Sequence, residues 1–458
     1  MADTINIHFL GGAGTVTGSK YLLELEGKRI LIDCGLFQGV KKLRTLNWED
    51  LPVPSSQLDL VLLTHGHLDH TGFLPRLVRR GYGGPVWGTS PTLDIAEVIL
   101  RDSAKIQEED ADRANEAGFT RHQPALPLYT TDDVEHTLPL FEIQEEGKWI
   151  DIDPDLRIRF EYSGHILGAT FIEMDVPGQR IVFSGDVGRP VDPLLRAPKK
   201  PNKADVLLIE STYGDRFHPD EDIMERIKQV VNDTVQRQGT VIIPSFAVER
   251  TQLLMYLLWQ LDRRGELPSS LPIIMDSPMG ANVLELFHKH HDWHTLSSEE
   301  CAEMCYRIRV VQSYRETWDI IDDPRPKVVI AGSGMVTGGR VLTYLQQYIA
   351  RPETTVMLAG YQAEGTRGRQ LLQGAGELKF YGKYHPVRAR VEYLEGLSGH
   401  ADQRELLDWL AEITEKPERV FIVHGEAQAS DTLRVKLKDV FDWQSEIPEL
   451  YDIATLPL

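Results

Sequence analysis

The sequence predicts an α/β protein: a sandwich of sheets flanked by helices, then a parallel-sheet α/β segment, then a return to strand and loop. Residues 1–210 read as short apolar strands broken by Gly-rich turns. From about residue 212, helical stretches alternate with short apolar strands, the rhythm of βαβ units. At a prior of roughly 150 residues per domain, the 458-residue length makes two or three domains, each able to bury a core.

In chain order, TINIHFL (4–10) is a strand leading into the loop GGAGTVTGS, and KYLLELEGKRILIDCG (20–35) reads as two strands joined at Glu26-Gly27. LDLVLLT (58–64) and PVWGT (85–89) are the next apolar strands. Between Thr92 and Asn115 the apolar residues Ile95, Val98, Ile99 and Ile106 recur near a 3.6 period, which predicts a helix. Strand signals resume at RIRFEYS (157–163), TFIEMDV (170–176), RIVFSGD (180–186) and ADVLLIES (204–211). Helices over 222–237, 249–264 and 281–291 then alternate with the strands GTVIIPS, LPIIMDS, PKVVIAGSG and TTVMLAGY. The chain closes with VRARVEYLEGLSGHAD, the strand RVFIV and a helix near 430–440.

Composition narrows the class. A chain 41% hydrophobic and 26% charged, with 37 Gly and 26 Pro, is ordinary for a soluble globular protein. Its longest apolar run, LLMYLLW (253–259), stops far short of the roughly 20 residues of a membrane helix, so no membrane partner is expected. MADTINIHFLGG lacks a cationic stretch ahead of an apolar one, which argues against a secretory signal. Three cysteines exclude a disulfide framework and fit a reducing, cytoplasmic setting. Cys301 and Cys305 lie one helical turn apart without local partners and read as core or surface residues rather than a zinc site.

The strongest chemical signal is THGHLDHTG (64–72), directly after an apolar strand. His-x-His puts two imidazoles on one side of a bend, and the adjacent Asp69-His70 pair offers an oxygen and a nitrogen to a second position nearby. Imidazole with carboxylate suits Zn²⁺, with Mn²⁺ or Fe²⁺ tolerated. His65, His67, Asp69 and His70 cannot all fill one tetrahedral site, so partners are expected at other strand ends. His165 in SGHILGA and Asp186 in FSGDVG stand there, and a carboxylate such as Asp186 can bridge two metals.

With Asp33 in LIDCG ahead of them, these motifs resemble the metallo-β-lactamase superfamily in kind and order. Asp33 resembles the superfamily aspartate that orients a ligand histidine through its other ring N–H. The opening glycines suit a strand–loop–strand, since a Rossmann motif needs a following helix. Glu210 in ESTYGD, His400 in SGHAD and His424 in IVHGE resemble the three further motifs of the β-CASP group, its nucleic-acid-processing branch. PSFAVERTQ, DSPMG, GSGMVTGGR and GYQAEGTRGRQ resemble the loops of that group's inserted domain. The resemblance spans nearly the whole chain and implies a metallo-β-lactamase αββα sandwich (1–208 and 388–458) with an α/β parallel-sheet β-CASP insert (209–387). It is strongest to bacterial and archaeal ribonucleases similar to the pre-mRNA 3′-end cleavage endonuclease. The chain is expected to lack the N-terminal RNA-binding KH segment of typical archaeal members.

In this group a His at the last motif marks RNA-processing members, so His424 favours RNA over DNA. At a strand end, it is also suited to complete a second metal beside Asp69, His70 and Asp186. The implied activity is a two-zinc ribonuclease, endonuclease rather than exonuclease, acting on single-stranded RNA through a metal-bridging hydroxide and leaving 5′-phosphate and 3′-OH ends. Asp69 stands with this catalytic machinery as well as among the ligands. His400 is assigned to protonate the leaving oxygen, with Glu210 accepting a hydrogen bond from its other nitrogen. Phosphate grip is expected from Ser245, Arg250, Ser333, Arg340, Arg367, Arg369, Lys383 and Arg388, where glycines expose backbone N–H groups beside guanidinium forks. No Gly-Lys-Ser/Thr follows either Gly run, so ATP use is not expected. A homo-oligomer is compatible with the sequence.

The rivals are a small-molecule (thio)ester hydrolase of the same superfamily, a DNA-directed nuclease, and a non-catalytic RNA-binding subunit. The first would lack the insert, Glu210 and His400, and the last would have lost ligands that all stand here.

Net charge alone is a poor guide. With 49 Lys+Arg against 69 Asp+Glu the chain carries −20, which excludes a uniformly basic binder. Residues 101–160 hold 15 acidic and 7 basic residues and 401–458 hold 13 and 6, so these stretches supply −8 and −7 of the total. Residues 361–390, with the Arg-bearing loops, hold 2 acidic and 6 basic, net +4. Local charge can therefore favour a polyanion.

Overall fold

The computed structural model describes residues 4–25, 27–117 and 124–457. It divides into two compact units: Met1–Phe217 with His400–Leu458, and His218–Gly399. Glu26, where the first hairpin turn is expected, lies outside the described residues.

The first unit is an αββα sandwich. Its first sheet has seven strands in the order Ile453–Pro457, Thr4–Gly11, Lys20–Leu25, Lys28–Ile32, Leu60–Leu62, Val86–Gly88 and Phe141–Ile143. Its second has six: Arg419–Val423, Val206–Glu210, Gln179–Phe183, Thr170–Val176, Leu156–Tyr162 and Ile150–Asp153. Period-2 alternation turns Ile5, Ile7 and Phe9 of one sheet, and Ile158, Phe160 and Ile172 of the other, into a shared core. Each such side chain contributes about 1.5–3 kcal/mol of burial. The opposite face of the first sheet packs under the helices Leu74–Arg79 and Ser90–Ala117 through Leu77, Leu93 and Leu100. The second sheet packs under Gln403–Leu410 and Ala427–Phe441 through Leu406, Trp409, Leu433 and Leu437.

Strand direction positions the site. Lys28–Ile32 runs parallel to Leu60–Leu62, and Gln179–Phe183 runs parallel to Val206–Glu210, itself parallel to Arg419–Val423. Leu156–Tyr162 points the same way as Gln179–Phe183, because both are antiparallel to Thr170–Val176. Asp33, His65, His165, Asp186, Glu210 and His424 all stand at or just beyond the C-terminal ends of these strands.

The second unit is built on a six-stranded parallel sheet in the order Arg309–Val311, Ile273–Asp276, Lys327–Ala331, Thr240–Pro244, Thr355–Ala359 and Arg390–Leu394. Its four central strands are buried along their whole length, as a sheet covered on both faces requires. Glu377–Phe380 and Lys383–Pro386 form a separate hairpin.

Arg390–Leu394 pairs with Thr355–Ala359 and so extends the sheet of the second compact unit, which runs to Gly399. Other features depart from the sequence reading. The C-terminal Ile453–Pro457 is an edge strand on Thr4–Gly11, with only Ala454 and Leu456 facing the core. Two unanticipated helices, Ser298–Arg307 and Tyr314–Asp322, each open with a reciprocal capping box, Ser297 with Glu300 and Ser313 with Glu316. That Ser-x-x-Glu spacing was a readable signal.

Candidate metal centre

The turn 64–71 begins where Leu60–Leu62 ends. Thr64 donates its backbone N–H to Asp33 Oδ1 (2.8 Å), and His67 caps a one-turn helix, Leu68–Thr71, that carries Asp69 and His70. Two glycines permit this close packing. A Cβ at Gly66 would lie 2.5 Å from Ile95 Cγ2, and one at Gly35 would overlap Asp69 O at 1.6 Å. The Gly35 segment passes so close because Cys34 N–H donates to His70 O at 2.7 Å.

Two sets of donor atoms converge and share Asp186. In the first, His67 Nδ1 lies 3.1 Å from His65 Nε2 and 3.3 Å from His165 Nε2, and Asp186 Oδ2 is 3.5 Å from both of those Nε2 atoms. In the second, His70 Nε2 lies 3.3 Å from His424 Nε2 and 3.4 Å from Asp186 Oδ1, and Asp69 Oδ2 is 3.5 Å from His424 Nε2. All seven sequence-predicted ligands are therefore brought together, in groups of a size that could hold a metal ion. Asp186 Oδ1 is buried without a hydrogen bond of ordinary geometry, its neighbours being His70 Nε2 at 3.4 Å and His424 Nδ1 at 3.5 Å, which leaves its lone pairs available to a cation. The donor set and this oxygen fit divalent cations of the zinc type.

The outer nitrogens of several ligands are held by neighbouring side chains. His70 Nδ1 is 2.7 Å from Asp33 Oδ2, Thr64 Oγ1 is 3.1 Å from His65 Nδ1, and Thr212 Oγ1 is 3.1 Å from His424 Nδ1. Thr64 and Thr212 were missed from sequence; each is a hydroxyl within two residues of a motif acid or histidine, which was the available signal. Asp33 and His424 adopt left-handed backbone conformations (φ 59° and 48°), a cost of about 1–3 kcal/mol each that the surrounding bonds must hold. His424 N–H, for instance, donates to Gly12 O at 2.6 Å.

Electrostatics favour the neutral, ligand-ready forms of His65 and His67 and the protonated form of His70. Burial, reinforced by the charge on His70, pushes His65 well below the usual imidazole value, and burial takes His67 down to about 4. Against burial, Asp186 and Asp33 hold His70 well above its ordinary value. Against burial again, His424, His70 and His65 hold Asp186 well below the carboxylate range. A proton on His70 and a cation compete for one nitrogen.

Glu210 and His400 form an adjacent pair on Asp186. His400 Nδ1 is 3.3 Å from Glu210 Oε1 and 3.9 Å from Asp186 Oδ2. Fully buried Glu210 also accepts the N–H groups of Val187 (2.7 Å) and Thr212 (3.2 Å). Burial alone would lower His400, but Glu210 and then Asp186 outweigh it and raise its value.

The residues expected to grip phosphate all lie in the second unit, where most are engaged internally. Ser245 Oγ accepts from Thr251 Oγ1 (3.1 Å), and Ser333 Oγ accepts the N–H groups of Thr337 (3.0 Å) and Gly338 (3.2 Å). Arg340 pairs with buried Asp276 at 3.0 Å. Arg367 donates to the carbonyls of Lys379 (2.7 Å) and Val336 (3.1 Å). Arg369 Nη1 reaches Gln362 O at 3.5 Å, and buried Arg250 opens the helix Arg250–Arg263. Lys383 and Arg388 are exposed.

Three family models match the chain: the metallo-beta-lactamase superfamily over residues 13–99, the Beta-Casp domain over 251–371, and the Zn-dependent metallo-hydrolase RNA specificity domain over 384–448. Ribonuclease TTHA0252 of Thermus thermophilus is 36% identical, over 91% of this chain and 92% of its own length. Transcription termination factor FttA of Methanosarcina mazei is 31% identical over 93% of this chain and 67% of its own. A crystal structure of a protein of unknown function from Enterococcus faecalis V583 shares the fold, with a TM-score of 0.54, 13% identity and coverage of 99% and 100%.

Proposed function

Since the chain belongs to the β-CASP ribonuclease family of the metallo-β-lactamase superfamily, we propose that it is a two-zinc endoribonuclease of the cytoplasm that hydrolyses single-stranded RNA to 5′-phosphate and 3′-OH ends. The observation that carries the reading is the pair of donor sets joined through the two oxygens of Asp186. His65, His67, His165 and Asp186 would hold one cation; Asp69, His70, His424 and Asp186 would hold the other. When bound, the cations would supply hydroxide near neutral pH and offset the negative charge that accumulates on the phosphate.

The chain's own residues do the rest. Asp33 accepts a hydrogen bond from His70 Nδ1–H and so turns Nε2, the nitrogen a cation would take, toward Asp186. Thr212 holds His424 by its Nδ1 edge. Glu210 keeps His400 oriented and cationic, so that the imidazolium can protonate the departing 3′-oxygen. His424 supports RNA over DNA as the substrate. Among the described residues no helix is long and apolar enough to cross a membrane.

The test uses 5′- and 3′-labelled RNA and matched DNA, with and without chelator. Internal, chelator-sensitive cuts in RNA bearing 5′-phosphates are expected, and they should persist at a 2′-deoxy linkage. No cleavage of any nucleic acid would overturn the reading.

A further inference from the structure

The hairpin Glu377–Phe380/Lys383–Pro386 has two unlike faces. Its register places Leu378 opposite His385 and Phe380 opposite Lys383, and Leu378 and Phe380 are buried in the core of the second unit. The other face pairs Lys379 with Tyr384, whose side chain is 63% exposed, and Lys379 Nζ sits 5.5 Å from the Tyr384 ring centroid. An ordinary solvent face would be polar throughout. Here an exposed aromatic ring carries a cation over one face, with exposed Glu377 and Pro386 the next pair on the same side of the hairpin.

The turn adds an independent observation. Tyr381 and Gly382 both have positive φ (46° and 82°), a two-residue hairpin turn whose first position suits Asn or Asp. A tyrosine there pays steric strain for an exposed ring, since Tyr381 is 52% exposed. The platform is rigidly mounted: Arg367 donates to Lys379 O at 2.7 Å and lies 5.9 Å from the Phe380 ring. Lys379, Lys383 and Arg388 are exposed in a stretch of net charge +4 within a chain of −20; by register Lys379 shares the face of Tyr384 and Lys383 that of Phe380.

We propose that this hairpin is a stacking platform for single-stranded RNA, with Tyr381 and Tyr384 each taking a base face and Lys379 taking a flanking phosphate. The inference rests on RNA being the substrate. Open π-faces interleaved with cations bind single strands without reading sequence, because every base has a face to stack. A base-paired duplex offers few such faces, which sets the specificity.

The experiment measures fluorescence anisotropy of labelled oligo(U) and of an RNA duplex with the full chain and with Tyr381→Ala, Tyr384→Ala, Tyr384→Phe and Lys379→Gln. Each tyrosine-to-alanine change should weaken oligo(U) binding about tenfold and leave duplex binding within twofold. Tyr384→Phe should restore affinity, and Lys379→Gln should flatten the salt dependence by about 0.7 in slope. Thermal midpoints are measured alongside, and an Ala variant that binds weakly with an unchanged midpoint supports the proposal. Wild-type affinity in both Ala variants, or a change confined to sedimentation as a dimer, overturns it while RNA cleavage by the same preparations leaves the ribonuclease reading standing. Absence of RNA binding and cleavage in the wild type overturns both.

Discussion

His70 Nδ1 and Asp33 Oδ2 meet at 2.7 Å, and through that contact a strand end of the first sheet sets the orientation of a ring whose other nitrogen faces Asp186. Thr64 locks the same carboxylate by backbone and hydroxyl, at 2.8 and 2.9 Å. Asp33→Asn tests this without adding strain, because Asn tolerates the left-handed conformation at residue 33. Metal affinity, titrated against a competing chelator, should fall about 10- to 100-fold while the fold is kept.

His400 and His424 should separate cleanly. His424→Ala removes a nitrogen from the second donor set and should reduce bound metal measured by mass spectrometry. His400→Ala should retain metal and lose about 10²–10⁴-fold in cleavage rate. Full activity in His400→Ala would falsify its acid role.

The pH profile carries a sign. Burial lowers His400, but Glu210 raises it further, so the folded value stands above the ordinary one. A rate that needs the imidazolium persists up to that raised value and falls as pH rises through it. Glu210→Gln removes the main raising charge, so the alkaline limb of kcat/KM should move to lower pH. An unmoved limb would assign it to another group.

Lys20 gives a stability prediction at a residue that is not itself a candidate metal ligand. Its buried ammonium donates to Gly18 O (2.9 Å) and Gly35 O (2.6 Å), and burial lowers its value to about 8. The folded state therefore sheds the proton before the unfolded chain does, and stability attributable to Lys20 rises with pH from about 8 towards 10.5. Cys34, pushed by burial up to about 12, acts in the opposite direction above its ordinary range. Comparison of urea midpoints of the wild type and Lys20→Met isolates the lysine. The difference should change by roughly 3 kcal/mol across that window.

Buried Asp276 accepts from Tyr344 Oη (2.7 Å), Thr317 Oγ1 (2.7 Å) and Arg340 (3.0 Å). Asp276→Ala leaves a guanidinium without its counter-ion, and denaturant titration should show a loss of about 3–5 kcal/mol with metal content unchanged.

Much of this protein was legible in one dimension. Apolar alternation marked the sandwich strands, the 3.6 period marked the long helix, and His-x-His-x-Asp-His after a strand announced metal chemistry, because each depends on near neighbours along the chain. The short edge strand Ile453–Pro457 escaped because two buried residues make too brief a pattern. That Arg390–Leu394 pairs with Thr355–Ala359 is not legible locally, because pairing partners are not encoded along the chain.

Fold class, the seven candidate ligands and the family were all readable from residue type and spacing along the chain. Tertiary structure decided which atoms meet. His70 and His424 are 354 residues apart yet their Nε2 atoms are 3.3 Å apart, and only parallel strands ending at one edge bring them there. It also decided that Arg340 and Arg367, alike in sequence as phosphate candidates, have carboxylate or carbonyl partners inside the fold, whereas Lys383 lies open. Residue type states what a side chain can bond; burial and direction select which of those bonds is made.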